Sequence, residues 1–408
     1  MGPLWRITPH YANASMVPAD EIASRLARLR RELEADGLDG AVIVQSADLA
    51  YFTATNQQAH LVVPAVGEPR LLVRRTLERA VAESPLAEVH PLRSLSELEP
   101  ALRAAGLAPG ARIGFELDVL PASAFLSYRR RLEGWQLEDC SGAVRRTRTI
   151  KSGWDLERMR EAAAQVDLAA RAIPGLMGRG ISESKVQLEV ERVLREAGHQ
   201  GQLRFRGFNQ EMHYGQVLAG PSGATPGYSD SPLCGPGPNP ALGKGANGYR
   251  LRPGDPLIVD LVGASDGWLA DQTRTFAVGP LDADLLAAHD CALAILRAVE
   301  AELRPGTPAS ALYDLAEGMA ADAGLDAHFM GAGQQRVRFL GHGVGMEIDE
   351  LPVLAPGFDE PLEEGNVIAV EPKFVFPGRG AVGIENMYAV TADGFETMTT
   401  APEELIEA

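Results

Sequence analysis

Between residues 19 and 35 the apolar side chains Ile22, Leu26, Leu29 and Leu33 recur every three or four positions, the spacing of one buried helix face, and Gly37 follows as a stop signal. Short apolar runs at 40–44, 70–73 and 111–115 then read as strands, with helical spacing near 75–84, 94–105 and 121–133 between them. That alternation predicts a small α/β domain. The basic, polar stretch 145–152 ends it, so domains are expected at 1–150 and 151–408. Past the boundary, helices are predicted over 154–172 and 182–197, and again over 282–303 and 308–323, with strands at 367–370 and 381–390. Between these pairs of helices lies a Gly-, Pro-, Asn- and Ser-rich region, 219–248, with little periodicity. It is long for a connection in a compact domain and is therefore expected to be functional.

The stretch 255–279 is a predicted hairpin, with strands at 256–263 and 269–278 joined at Asp266-Gly267, a strong turn signal. A loop centred between Ser265 and Asp266 sets Asp260 opposite Asp271, and a one-residue shift leaves the two diagonal and still close. Leu257, Ile258, Val259, Leu261 and Val262 are apolar on both strand faces, so Asp260 is expected to be a buried charge. Buried charges are paired or hold a metal; the competing reading is two solvated acids on an edge hairpin. The later strands repeat the pattern. Glu371 ends NVIAV and Glu385 interrupts AVGIENMYAV, and a turn near Gly378 brings them within one residue of register. His342 stands in Gly341-His-Gly-Val-Gly345, where glycines permit close backbone approach. Alone it would read as a core histidine. With four buried carboxylates it suits two divalent cations of the Mn, Co, Fe or Zn kind.

Composition narrows the partners. The 408 residues are 45% hydrophobic and 23% charged, ordinary for a globular protein, and the net charge is −17. Nucleic acid and anionic membranes require a basic footprint, so neither is an expected partner. Cys140, Cys234 and Cys291 lie far apart in no ligand spacing and in odd number, which suits a reducing compartment. With no membrane-length apolar run and no charged-then-apolar start, a cytoplasmic location is expected.

Asp260, Asp271 within DQTRTF, the GHGVGMEIDELP segment, VEP at Glu371 and GIEN at Glu385 together resemble the pita-bread metallopeptidases, that is, the Xaa-Pro aminopeptidases, prolidases and creatinase-like proteins. Residues 40–54 resemble that family's creatinase-type N-terminal domain, and RTRTIKSGWDLERMREAA resembles its interdomain segment. The resemblance implies an α/β (α+β) chain of two domains and a dinuclear hydrolase that cleaves an amide bond with a metal-bridging water. It further implies that Asp260 chelates one ion, Asp271 and Glu385 bridge both, His342 and Glu371 hold the second, and Glu371 handles the proton of the water. A homodimer acting on a short peptide or other small molecule is the expected assembly.

Three departures bear on substrate. Where proline-specific members carry a histidine seven residues after the ligand histidine, this chain has Asp349; four residues before it stands Arg338; and the upstream histidine position, in AGPSGATPGYSD, falls on Gly227. Arg338 and Asp349 either pair with each other or line the substrate pocket, and the second is expected. His213 is a candidate replacement proton shuttle, with a structural histidine as the alternative. Tyr228 and Trp268 are candidate pocket walls or core residues, and Arg274 is expected to support a ligand acid. Loss of the histidines keeps open a second enzymatic reading, action on a small polar metabolite by C–N hydrolysis or C–S lysis. A metal-free binding protein of the same fold is the third, disfavoured because all five ligand positions are filled.

Overall fold

The computed structural model describes residues 16–407. Two compact units divide the chain, the first ending at Arg148 and the second beginning at Thr149. The first contains α1 (Ala19–Ala35), α2 (Ser46–Thr53), α3 (Leu77–Glu83), α4 (Leu98–Ala104) and α5 (Ala122–Arg131), with α6 (Ser141–Thr149) at the boundary. The stripe Ile22, Leu26, Leu29 and Leu33 of α1 is buried as its spacing predicts, and Gly37 beyond it takes φ +68. The sheet runs in the order β4 (Val89–Pro91), β3 (Arg70–Val73), β2 (Ala59–Pro64), β1 (Gly40–Ile43), β5 (Arg112–Phe115) and β6 (Gln136–Asp139). It is mixed, β1 pairing antiparallel with β2 and parallel with β5. Strands β2, β4 and β6 escape the hydrophobic pattern. All six residues of β2 are buried, so it has no alternation to read, while β4 and β6 have no buried residue.

The second unit opens on α7 (Gly153–Leu176), started by a capping box in which Ser152 and Asp155 each accept from the other's backbone N–H. Helix α8 (Glu183–Glu196) follows, then a four-stranded sheet in the order β17 (Ile406–Glu407), β9 (Trp268–Ala277), β8 (Pro256–Ser265) and β7 (Gly215–Ala219). The β8–β9 hairpin turns at Asp266 and Gly267, whose φ values of +45 and +89 have the positive sign a two-residue primed turn demands. That turn sets the register: Asp260 faces Thr273 and Asp271 faces Val262. The two acids are thus diagonal neighbours on one face, the outcome of a loop centred one residue later than the directly opposed arrangement.

A five-stranded sheet of β11 (Glu350–Leu354), β10 (Gly341–Gly343), β12 (Val367–Val370), β15 (Asn386–Thr391) and β16 (Gly394–Thr397) carries the other acids, beside the ribbon of β13 (Lys373–Phe376) and β14 (Gly380–Gly383). Strand β12 spans 367–370 as predicted, whereas the strand predicted over 381–390 is broken at Glu385 into β14 and β15. Val370 pairs with Asn386 and Lys373 with Gly383, so one register continues across the gap where Glu371 and Glu385 sit. An isolated bridge from Thr273 to Glu385 ties β9 to that gap. Helices α9 (Ala283–Glu302) and α10 (Ala309–Asp322) close the core with Leu296 and Tyr313 against Ile368, Phe374 and Tyr388.

Helix α7 lies on the hairpin at backbone distance. A Cβ added at Gly263 would stand 2.1 Å from the carbonyl oxygen of Ala162. Gly263→Ala is therefore expected to destabilise by about 1–3 kcal/mol through overpacking, lowering the midpoint of thermal unfolding by several degrees. Gly318→Ala, in α10 with open space around its Cβ position, should be neutral or stabilising by up to about 1 kcal/mol. Equal midpoints for the two variants, by circular dichroism or calorimetry, would contradict this account.

Candidate metal centre

The broken ladders and the hairpin deliver their acids to one cavity of about 220 Å³, lined among others by Asp260, Asp271, His342, Asp349, Glu371, Lys373 and Glu385. His342 reaches it because its neighbours have no side chains. A Cβ at Gly341 would meet the Ala369 carbonyl oxygen at 2.1 Å, and one at Gly343 the Leu351 carbonyl oxygen at 2.2 Å, where the β10–β11 register also slips. The Nδ1 of His342 lies 3.1 Å from the Gly343 carbonyl, which can only accept, so the proton belongs on Nδ1 and the lone pair on Nε2. That Nε2 points at the acids, 3.5 Å from Glu371 Oε1 and 3.9 Å from Asp271 Oδ2.

Asp271, His342 and Glu385 each offer one ligand atom, all within 4.8 Å of one another. Asp271 Oδ1 and Glu385 Oε1 are buried without a hydrogen-bond partner. Unsatisfied oxygens that converge with an imidazole are what a cation would relieve, and carboxylate with imidazole suits a hard to borderline divalent ion. The residues present fit such an ion.

A lysine also occupies this centre. Lys373, 1% exposed, donates from Nζ to Glu371 Oε2, lies 2.9 Å from Glu385 Oε2 and stands 3.8 Å from Asp260 Oδ2. Thr273 Oγ1 donates to the same Glu385 oxygen at 2.7 Å. Neither residue is in the ligand set read from sequence. The signal for Lys373 is a single charge two residues beyond Glu371 in an otherwise apolar strand; alternation disguises it as a solvent-facing position.

The electrostatics follow from burial and charge. Burial, with Glu385 and Asp260 close by, pushes the Asp271 carboxyl well above the usual carboxylate range, and burial raises Glu371 to about 7. For Lys373 burial opposes the charge, yet Glu371, Glu385 and Asp260 together hold the ammonium well above an ordinary lysine. Burial also works against Glu385, but Lys373 and His342 outweigh it and draw that carboxyl below its usual value.

Of the other residues singled out by sequence, Asp349 lines the cavity, its Oδ1 3.4 Å from His342 Nδ1. Three expected neighbours do not line it. Arg338 is exposed and hydrogen-bonds toward Tyr313, leaving Phe339 to point inward, because alternate strand-like positions face opposite ways. His213 is captured by Glu191 at 3.2 Å, its ring 65% exposed, and with Tyr228 it lines an adjoining cavity that lacks the acids. Gly227 leaves no room for any side chain, since a Cβ there would lie 1.9 Å from Cys234 Sγ. Trp268 is in the core. Arg274 is buried and donates to the Glu385 carbonyl at 2.7 Å, to Asn386 Oδ1 at 2.8 Å and to the Ala401 carbonyl at 2.9 Å, so it fixes the backbone beneath a ligand acid. The aperiodic region contributes Ser229, Asp230, Ser231 and Lys244 to the cavity wall.

Metallopeptidase family M24 matches residues 157–392, and the Creatinase/Prolidase N-terminal domain matches residues 25–150. The probable dipeptidase PepE of Mycobacterium tuberculosis is 28% identical over 400 residues, covering 95% of this chain and 97% of that protein. The crystal structure of dipeptidase PepE from Mycobacterium ulcerans superposes with a TM-score of 0.79 at 26% identity, covering 96% of this chain and 99% of that one. The Xaa-Pro dipeptidase of Bacillus anthracis gives 0.80 at 26% identity over 95% of this chain and all 100% of its own. Among the described residues no helix is long and apolar enough to cross a membrane. With the M24 profile spanning more than half its length behind a creatinase-type domain, the chain belongs to metallopeptidase family M24, the pita-bread metallohydrolases.

Proposed function

We propose that the protein is a metal-dependent dipeptidase acting on small peptides with both termini free. The observation that carries this reading is the cavity: about 220 Å³, with the acid cluster at its base and Lys244, Asp230 and Asp349 in its wall. That is smaller than the roughly 300–1,000 Å³ of sites for drug-sized ligands, and it suits a substrate of two residues. A zwitterion offers one charge to each kind of wall. Lys244 pairs with the substrate carboxylate, and Asp349 or Asp230 with its ammonium. The names of the M24 relatives, dipeptidase and Xaa-Pro dipeptidase, agree in the size of substrate.

Asp271, His342, Glu371 and Glu385 would hold the divalent ion, which when bound acidifies water and polarises an amide carbonyl. Glu371 accepts the proton lost by the attacking water and returns it to the leaving amine. His342 is held with its lone pair inward by the Gly343 carbonyl, a positioning contact that needs no further residue. Phe205, Phe339 and Ile348 wall the cavity and limit water around the scissile bond. Since Asp349, Arg338 and Gly227 stand where proline-specific members carry histidines, Xaa-Pro dipeptides are expected to be poorer substrates than other dipeptides.

Assay of free dipeptides, Xaa-Pro dipeptides, N-acetylated dipeptides, dipeptide amides and tripeptides, with Mn, Co, Zn or Fe supplied, tests the reading. Free dipeptides should be hydrolysed and a block at either end should cost at least about tenfold in kcat/KM, the equivalent of some 1.4 kcal/mol. No turnover of any free dipeptide by metal-loaded protein would refute it. Lys244→Met should raise KM for free dipeptides by about 10- to 100-fold while leaving dipeptide amides unaffected.

Glu371→Gln keeps the shape of the side chain and removes its proton-accepting power, so turnover should fall by about 10²–10⁴-fold. Chelation should abolish wild-type activity and re-addition of the ion restore it. Turnover of Glu371→Gln at the wild-type rate, with ion content unchanged, would remove Glu371 from its role.

A further inference from the structure

The two glutamates of the centre each give one oxygen to Lys373 and turn the other away from it. Glu371 turns Oε1 to His342 Nε2, 3.5 Å away, and Oε2 to Lys373 Nζ. Glu385 turns Oε2 to Lys373 Nζ at 2.9 Å and leaves Oε1 buried without a partner. Asp260 completes the first side, its Oδ2 3.8 Å from the same ammonium, while Asp271, with its own buried and unpartnered Oδ1, completes the second beside His342. The centre therefore has two halves. In one, three carboxylates already surround a cation that is part of the chain; in the other, converging oxygens and an imidazole have none.

The seat of Lys373 is built into the fold. Its partner across the β13–β14 ladder is Gly383, where a Cβ would stand 2.9 Å from Lys373 Cγ, so the glycine makes room for the stem. The side chain is 1% exposed and lies on a strand whose four residues are all buried. A retracted lysine would abandon three buried carboxylates and bury its own charge unpaired, each costly.

We propose that this centre is mononuclear: one divalent cation held by Asp271, His342, Glu371 and Glu385, with the ammonium of Lys373 fixed among Asp260, Glu371 and Glu385, where it takes up the charge that a second cation would otherwise offset. The proposal rests on the metal-dependent reading above and concerns only how many ions the site takes. The arrangement balances charge, since one divalent ion with one ammonium offsets most of the charge on four carboxylates. It also divides labour within each glutamate, one oxygen serving the ion and the other the lysine.

Metal content per chain, measured by elemental analysis after reconstitution with excess Mn²⁺ or Zn²⁺ and removal of free ion, decides it. Wild type should hold one ion. Lys373→Ala, which empties the seat, should hold two, and Lys373→Met, which fills it with an uncharged chain of similar length, should hold one. Independently of any variant, wild type loaded with Mn²⁺ should give the electron paramagnetic resonance spectrum of an isolated ion, without the exchange coupling of a closely spaced pair. Two ions per wild-type chain, or a coupled spectrum, would overturn the mononuclear centre and leave the metal-dependent reading standing; one ion in folded Lys373→Ala would overturn the part assigned to Lys373. Folded wild type that holds no ion at all would overturn both.

Discussion

Four carboxylates packed in the interior repel one another and have lost their water, and the second unit is arranged around supplying what they lack. Asp271, Glu371 and Glu385 are at most 5% exposed, and Asp260 is only slightly more open. In a medium of low effective dielectric such groups remain charged only beside cations and donors. Each nearby polar group answers that need. Thr273 and Lys373 donate, and the oxygens left over converge with the inward lone pair of His342 on a place for an ion that would supply the remaining charge. The glycines around His342 serve the same end by removing side chains that would hold the imidazole away.

Rigid backbone supplies the geometry. The positive-φ turn at Asp266 and Gly267 fixes the hairpin register, and a slip by one residue would rotate Asp260 and Asp271 out of the cavity onto the opposite face. Helix α7 holds that hairpin from behind at a distance only Gly263 permits. Breaking the later strands at Glu371 and Glu385 releases their backbone from the ladder without losing register, and Pro372, which has no N–H to offer, stands in the gap. Arg274 then ties the backbone at Glu385 to that at Ala401, which fixes the chain on either side of β15 and β16 beneath a ligand acid.

Much of this was legible in the residues. Acids that interrupt apolar strands are conspicuous because an unpaired buried charge is expensive, and a turn dipeptide locates its own hairpin, so the burial and closeness of the four acids could be read directly, with opposed and diagonal pairing of Asp260 and Asp271 both left open. Helices with a clear apolar stripe, such as α1, could be read to the residue. What could not be read are side-chain directions in short or irregular segments. Arg338 and Phe339 are adjacent in sequence and face opposite ways, and nothing in spacing says which lines the cavity. His213 is drawn off by Glu191, a partner 22 positions away on another element. Lys373 escaped for a subtler reason. Clustered acids imply a cation bound from outside, and a lysine on a strand reads by default as solvent-facing.

That lysine changes how the centre relates to folding. An acid cluster neutralised only by exchangeable ions depends on ion concentration for each carboxylate, since a bound ligand stabilises the native state by RT ln(1 + [L]/Kd) and its removal forfeits that amount. Here Lys373 satisfies one oxygen each of Glu371 and Glu385, and faces Asp260, from within the fold itself. The ammonium cannot polarise a carbonyl as a divalent ion does, so half the cluster gives up Lewis acidity for permanence. The other half keeps its unsatisfied Asp271 and Glu385 oxygens. In the mononuclear centre proposed here, ion binding would be confined to the side that faces His342 and Asp349, where substrate would also sit. Structure and chemistry draw on separate cations within one cluster of acids.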